Sequence, residues 1–328
     1  MLDLASQVAN AGDAGRLLLP VQRVHVPGLF TALLEHGPVK AVLPIPVLAA
    51  IAWPIWWFFR RTWAELDREA AAHRAEVAEA GRADTRPMAC LVLTGLILTL
   101  QEYWGGRPTY DQGIRPLLEA AYAGGHAWLE LPKYDELYGY AWWVLARLMG
   151  YVLIPLPLWK LLYPRDSLLD LGFRWRGFFS HLWIYGLCLA IVVPVLLLVA
   201  RNGDFGTYYP FYKATSRSWF DFAAWEAIYF LQFLALEIFF RGWMVGALRR
   251  SLGSAAIFAM AVPYCMIHYG KPYLETVGAI VAGVVLGSLA MRTRSIYAGF
   301  LVHVSVALLM DLVALHQRGA LPTRLWPV

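Results

Sequence analysis

The chain has 328 residues, of which 59% are hydrophobic and 16% charged, and its mean hydropathy is +0.50. These values exclude an ordinary soluble domain of this length and predict an all-α fold, a polytopic bundle of membrane helices. The net charge of +5 comes without a basic face interleaved with aromatic residues, so we expect no nucleic-acid partner.

Apolar runs separated by clusters of charge give the predicted elements. A hydrocarbon core about 30 Å thick needs about 20 apolar residues for each helical span. On this basis the sequence predicts about eight transmembrane helices embedded in a lipid bilayer. Their approximate bounds are 41–59, 88–104, 137–162, 179–200, 220–247, 254–268, 275–291 and 296–314.

The segments outside these runs are polar or amphipathic. The first 40 residues contain no continuous apolar stretch, so we expect them at the membrane interface and not as a signal peptide. The stretch 60–87 is rich in Ala, Glu and Arg, which is typical of a solvated helical hairpin loop. Residues 315–328 form a short tail. The N-terminal membrane region is therefore 1–219, and the four helices of 220–314 form a second region.

Arginines give a predicted orientation. An eight-span arrangement places the loop 60–87 on the same side as the basic residues that follow the fifth and seventh spans. Cytoplasmic loops carry an excess of Lys and Arg, so this side is expected to be cytoplasmic. Both termini and the loops 105–136 and 201–219 then lie on the other side. The basic residues concerned are Arg249, Arg250, Arg292 and Arg294.

Small residues recur every four positions in the seventh predicted span. Ala279, Gly283 and Gly287 therefore lie on one face of the helix. A face of small residues lets a neighbouring helix approach closely. We expect this span to pack tightly against another.

Ionisable residues are concentrated in the last four predicted spans. Such side chains cost a few kcal/mol each at bilayer depth, so they persist mainly where they pair or act. In LEIFFRG, Glu237 and Arg241 are one helical turn apart and share a face. Glu226 lies eleven residues earlier and points the same way. The pair has a purely structural alternative, since it can lock two helices or let Arg241 reach the headgroups.

Two histidines follow on neighbouring predicted spans. Tyr264 precedes His268 by one turn, and Asp311 follows His303 by two turns. Taken alone, His268 is equally consistent with a histidine at an interfacial helix end. The three helices together offer carboxylates, imidazoles and a guanidinium, which favours a site.

The order of these residues resembles the CPBP or Abi family of intramembrane proteases, which process CAAX proteins and bacteriocins. The family pattern is EExxxR, then FxxxH, then HxxxN or a similar polar residue, and the resemblance covers about 220–314. It implies a glutamic-type endopeptidase. Two positions depart from the pattern, because Leu236 stands at the first glutamate and Ala307 at the last polar residue. Either Glu237 is the catalytic carboxylate and Asp311 replaces the missing polar group, or the site is degenerate.

Peptide hydrolysis requires a base that activates water and donors for the oxyanion. Glu237 is the expected base, with Arg241 beside it to balance its charge, and His268 is expected to hold the proton of the water. The resemblance implies that His303 belongs to the oxyanion hole, with Asp311 orienting its ring. Glu226 and Tyr264 are the candidate substrate contacts.

A zinc enzyme is the first alternative. Glu237, His268 and His303 would make a two-histidine, one-carboxylate site with an open position. The chain has no HExxH motif, and a separate base would be needed. The metal-free mechanism is therefore preferred, with no cofactor.

The second alternative is a protein without catalysis, either a peptide-binding membrane scaffold or a small transporter. For the enzyme, the expected substrate is a membrane-anchored protein or peptide cut near its C-terminus. The abundance of Ala, Leu, Arg and Trp is compatible with high-GC coding and indicates a bacterium. The expected location is then the inner membrane, and removal of a sorting tag, as in the myxosortase-like branch, is favoured over CAAX processing.

Overall fold

The computed structural model describes residues 42, 44–174, 178–201, 203–271 and 273–327. These residues form helices and connecting turns, with one isolated antiparallel bridge between Phe173 and Ser295. The predicted all-α class is confirmed. The first 40 residues, expected at the membrane interface, lie outside the described residues.

Thirteen α-helices are numbered here in chain order, and three of the breaks between them are π-helical turns. The α-helices are α1 Pro44–Glu79, α2 Arg86–Trp104, α3 Arg107–Thr109, α4 Arg115–Ala123, α5 Leu131–Leu148, α6 Pro155–Leu162, α7 Leu182–Val199, α8 Gly203–Tyr208, α9 Trp219–Glu237, α10 Val245–Leu252, α11 Ala255–Met266, α12 Tyr273–Thr293 and α13 Tyr297–Gln317 within the described ranges. The π-helical turns are π1 Tyr110–Ile114, π2 Met149–Leu153 and π3 Ile238–Met244, and the 3-10 turns are Ala127–Leu129, Leu168–Leu171, Phe179–His181 and Lys213–Ser216.

The chain is a multi-pass integral membrane protein. Five helical segments of the described part are long and apolar enough to cross a bilayer, or up to six if the pair α2 and α3–α4, bent by 56°, is one span. The predicted number of eight stays a prediction. The five segments are Leu131–Leu162, Phe179–Val199, Trp219–Leu252, Glu275–Thr293 and Tyr297–Gln317.

The prediction of a solvated hairpin loop over 60–87 is wrong. Residues 60–79 continue the first apolar helix without a break, because Ala, Glu and Arg are strong helix formers. One face of this half of α1 is buried through Leu66 and Ala70. The indole of Trp63 donates a 2.9 Å hydrogen bond to Ser288 on α12. The charged half of α1 is thus packed against the bundle.

Contacts with Glu69 on α1 confirm that the basic segments lie at one end of the bundle. Arg249 at the end of α10 and Arg294 after α12 both contact Glu69, at 3.0 Å and 2.6 Å. Which side of the membrane this end faces remains a prediction. The segment 105–136, expected to be a loop, is instead helical from Arg107 to Ala123.

The small-residue face of α12 packs against α11, as predicted. A Cβ at Gly283 would lie 3.1 Å from both the Cβ of Ala261 and the Cδ1 of Tyr264. At Gly287 it would lie 2.8 Å from Met260 Cε. The missing side chains let the two helices approach closely, and this packing fixes Tyr264 at the centre of the bundle.

Candidate active site

The helix that carries LEIFFRG changes its winding at the glutamate. Helix α9 begins at the N-cap Ser218, whose hydroxyl accepts a 3.1 Å hydrogen bond from the backbone N–H of Asp221. It ends at Glu237, where the π-helical turn π3 begins, and every residue of π3 is buried. π-Helical turns inside α-helices are rare and frequent at functional sites. The change of winding therefore supports a functional role for Glu237.

Glu237 and Arg241 form an ion pair inside the protein. Their side chains have no exposed surface, and Arg241 Nη1 lies 3.3 Å from Glu237 Oε1. The guanidinium carbon also lies 3.9 Å from the ring centre of Tyr264. A desolvated cation over an aromatic face is a favourable contact. Arg241 therefore lies between a carboxylate and an aromatic ring. The sequence predicted its pairing with the carboxylate.

His303 on α13 contacts the same carboxylate. Its Nδ1 lies 2.8 Å from Glu237 Oε1, and its Nε2 is 3.0 Å from the hydroxyl of Tyr264. Phe233 stacks on the imidazole with a centroid distance of 5.1 Å and an interplanar angle of 21°. Partners at both nitrogens and on one face fix the position of the ring. The His303 side chain keeps 15% exposure, whereas Glu237 has none.

Gly299 makes this approach of α13 possible. It lies one turn before His303, and a Cβ placed on it would overlap Oε2 of Glu237 and lie 3.0 Å from the carboxyl carbon. Any larger residue would displace the carboxylate or separate the helices. The glycine is thus part of the wall that positions Glu237.

His268 reaches this group through Tyr264. Helix α11 ends at Met266, and His268 lies in the turn that follows. Its Nδ1 is hydrogen-bonded at 2.8 Å to the backbone oxygen of Tyr264, and the two rings are 4.9 Å apart. A carbonyl oxygen only accepts, so Nδ1 carries a hydrogen, and Nε2 of the neutral ring is then the acceptor.

Asp311 and Glu226 lie together elsewhere on the same two helices. The indole N–H of Trp225 donates a 2.6 Å hydrogen bond to Asp311 Oδ2, and the carboxyl of Glu226 interacts with that of Asp311. Asp311 lies eight residues beyond His303, about 12 Å along the helix. Because both ring nitrogens of His303 have other partners, the expectation that Asp311 orients His303 is wrong.

All three carboxylates are buried, since Glu237 and Asp311 have 0% exposure and Glu226 has 5%. Glu226 also points at Asp311 instead of joining Glu237. The expected substrate contact at Glu226 is therefore separate from the group around Glu237.

An aromatic stack joins the two groups and was missed in the sequence. Trp225 stacks on Tyr229 at 4.8 Å, Tyr229 packs on Phe233 at 4.6 Å, and Phe233 continues to His303. These three aromatic residues and Glu237 are each four positions apart, so they line one face of α9. That spacing is the signal that would have revealed the face turned toward α13.

The two departures from the family pattern lie in apolar surroundings. Leu236 is 4% exposed and belongs to the main hydrophobic core, with Phe239 and Phe240. Ala307 is 3% exposed and packs among aromatic residues that include Trp225. Position 237 and not 236 therefore faces the histidine of α13 in this chain.

The same geometry bears on whether these residues could ligate a metal. In the described part of the chain, no three His, Cys, Asp or Glu side chains are grouped as metal ligands would be. Of the three residues considered for zinc, Glu237 and His303 are in contact, while His268 directs Nδ1 to the backbone of Tyr264.

Comparison with known proteins agrees with this geometry. A family model described as Type II CAAX prenyl endopeptidase Rce1-like matches residues 218–309. The match runs from the N-cap of α9 into α13, so it contains Glu237, Arg241, His268 and His303 but not Asp311. No curated protein and no solved structure matches the chain. The segment that carries the candidate site therefore belongs to the CPBP family of intramembrane proteases.

Proposed function

We propose that the chain is an intramembrane endopeptidase in which Glu237 activates a water molecule to hydrolyse a peptide bond. The observation that carries this proposal is the contact of the fully buried Glu237 carboxylate with both Arg241 and His303. Burial of a charge is costly unless it is paired, and a pair placed against a histidine on a third element is typical of catalytic groups.

The proposed reaction uses the carboxylate twice. Glu237 takes one proton from water while the water oxygen bonds to the scissile carbonyl carbon. It then returns that proton to the amide nitrogen as the carbon–nitrogen bond breaks, which leaves a carboxylic acid and an amine. Arg241 balances the negative charge that Glu237 carries before it takes the proton and after it has returned it. The neutral imidazole of His268 is the second hydrogen-bond acceptor proposed for the water.

His303 is the proposed donor to the oxyanion. Its Nε2 points away from Glu237 and lies 3.0 Å from the Tyr264 hydroxyl, so this edge of the ring is the one that would meet the substrate. The exposure of His303 supports the assignment, because a donor must reach a bound carbonyl oxygen. Removing one such donor typically costs about 2.7 to 4 kcal/mol. We expect His303→Ala to lower turnover by roughly two to three orders of magnitude.

The proposed substrate is a membrane-tethered protein cut near its C-terminus, at a sorting tag or a CAAX-like sequence. This part rests on the family and on the composition, which favours a bacterial inner membrane and the myxosortase-like branch. The first two-thirds of the chain offer no motif for a recognition surface. The cleavage sequence must therefore be found by experiment.

Mass spectrometry of membrane-protein C-termini tests the proposal directly. Cells carrying the wild-type chain are compared with cells carrying Glu237→Gln at matched expression. We expect a set of proteins to keep an uncut C-terminal tail only with the variant, and these tails would define the substrate class. Identical C-termini in both samples, with the variant folded, would instead favour a scaffold or a transporter.

A matched control separates catalysis from the loss of a buried charge. Asp221, at the start of α9, is also buried and also paired with an arginine one turn away, Arg217 Nη2 at 2.5 Å from Oδ1. Asp221 is not one of the residues that contact His303 in the candidate site. Asp221→Asn should leave the C-termini cut as in the wild type wherever the variant accumulates normally.

A further inference from the structure

A cavity lies at the end of the bundle where the charged half of α1 meets the ends of α10 and α12. Its volume is about 380 Å³. Arg249 is twelve residues beyond Glu237 on one continuous helical segment, roughly 18 Å along its axis. The cavity is therefore separate from the candidate active site. Its lining residues are Glu69, Leu169, Asp170, Arg174, Arg249 and Arg294.

Two arginines of this cavity share one carboxylate. Arg249 Nη1 lies 3.0 Å from Glu69 Oε2, and Arg294 Nη2 lies 2.6 Å from Oε1 of the same residue. Arg249 Nε is buried and has no hydrogen-bond acceptor among the described residues. One carboxylate cannot neutralise two guanidinium groups, so this wall keeps a positive charge.

The second carboxylate that lines the cavity, Asp170, also has two arginines near it. Asp170 accepts a 2.5 Å hydrogen bond from Arg174 and lies 3.8 Å from Arg250 Nη2. Arg250 also lies 3.7 Å from Asp166, but that carboxylate already forms a two-pronged pair with Arg86. Three arginines, Arg174, Arg249 and Arg294, therefore line the cavity with two carboxylates, Glu69 and Asp170, so the lining keeps a net positive charge.

Backbone contacts join the segment that carries Arg174 to the segment that carries Arg294. The bridge between Phe173 and Ser295 and a 3.0 Å hydrogen bond from Ile296 N–H to Gly172 oxygen join the two loops that form the wall. Arg294 has a positive φ of 53°, a conformation that costs a non-glycine residue energy and persists only where its surroundings impose it. From this backbone conformation the Arg294 side chain contacts Glu69.

We propose that this cavity binds a phosphate group, carried by an anionic phospholipid headgroup or present as free phosphate. The planar guanidinium groups match phosphate oxygens in geometry as well as in charge. Basic pockets between membrane helices commonly hold anionic headgroups. Leu169 lines the cavity and is 59% exposed, which places an apolar surface beside the charges, where the glycerol and acyl part of a lipid would lie.

Binding to the full-length protein in detergent tests this proposal, with native mass spectrometry for phosphatidylglycerol and phosphatidylcholine. We expect tight retention of phosphatidylglycerol and weaker binding of the zwitterionic lipid. Arg249→Gln and Arg294→Gln should each weaken phosphatidylglycerol binding about fivefold. Arg115→Gln removes the same charge from an exposed arginine that pairs with Glu119 and Asp135 outside the cavity, and it should change nothing.

Glu69→Gln gives a result that an unfolded variant cannot imitate. It removes the carboxylate that competes for Arg249 and Arg294, so phosphatidylglycerol should bind more tightly than to the wild type. Competition by inorganic phosphate at millimolar concentration would identify free phosphate as the ligand, and its failure would identify the lipid. Equal binding of both lipids without phosphate binding, or the same affinities in all four variants, would overturn the proposal.

Discussion

The Nδ1 atom of His303 lies 2.8 Å from Oε1 of Glu237, and the two residues belong to different helices, α13 and α9. The geometry of the candidate site therefore depends on how closely these helices pack. Changes that contact neither substrate nor water are expected to alter activity if they move one helix against the other. This dependence makes several parts of the proposal testable.

Gly299→Ala should abolish or strongly lower proteolysis, because the added Cβ would overlap Oε2 of Glu237. Displacement of a catalytic group by about 1 Å can cost about a hundredfold in rate. The measurement is cleavage of an identified substrate in membranes, beside the amount of folded protein.

Gly186→Ala provides the control for that change. Gly186 is also helical, but a Cβ there meets no atom within 4 Å. It should keep full activity and gain about 0.5 to 1 kcal/mol of stability, since alanine favours the helix. Equal activity of the two alanine variants would contradict the close approach of α13 to Glu237.

Tyr264→Phe should reduce turnover roughly 2- to 13-fold. The change removes the hydroxyl bonded to His303 Nε2 but keeps the ring that packs on Arg241. One hydrogen bond contributes about 0.5 to 1.5 kcal/mol, which corresponds to that range of rates. Tyr140→Phe, which removes a 2.8 Å bond to the backbone of Phe211, is the control and should leave kcat unchanged. A Tyr264→Phe enzyme with wild-type kcat would remove the hydroxyl from the proposed mechanism.

Arg241→Gln should destabilise the fold by about 3 to 5 kcal/mol, because it leaves Glu237 buried without its cation. Adding Glu237→Gln should recover part of this loss. The coupling is measured by a double-mutant cycle of unfolding free energies in detergent. The same cycle on Arg217 and Asp221, where the arginine is 26% exposed, should give a smaller coupling. Additive effects of Arg241 and Glu237 would mean that the two residues are not an energetic pair.

Chelators distinguish the two hydrolytic mechanisms. A reaction that uses Glu237 as the base should keep its rate after prolonged treatment with a strong chelator and removal of the chelate. A zinc enzyme should lose activity and regain it when zinc is added back. The measurement is the initial rate before treatment, after treatment and after zinc addition. Restoration by zinc would replace the proposed mechanism.

The sequence was sufficient for the membrane class and for the group around Glu237. Charges at bilayer depth are rare, so the spacing of Glu237 and Arg241 and the order of the two histidines stood out against an apolar background. The small-residue face of α12 was also readable, because a repeat of four positions marks one face of a helix.

The partners of these residues could not be derived from spacing along one helix. Asp311 was expected beside His303 because both lie on one face of α13, but α9 places Trp225 and Glu226 opposite Asp311 and places Glu237 opposite His303. The path of α1 was missed for a different reason. A charged sequence resembles a solvated loop until Leu66 and Ala70 are seen buried against the bundle.

The π-helical turn π3 affects how the candidate active site and the arginine-lined cavity are oriented relative to each other. A π-helical turn holds about one residue more than an α-helical turn, so it rotates everything beyond it by about 100° relative to an uninterrupted α-helix. Deleting one residue from π3 would leave Glu237 facing α13 and turn Arg249 away from Glu69. The seven residues Ile238–Met244 thus set the rotation that lets one helical segment present Glu237 to His303 and Arg249 to Glu69.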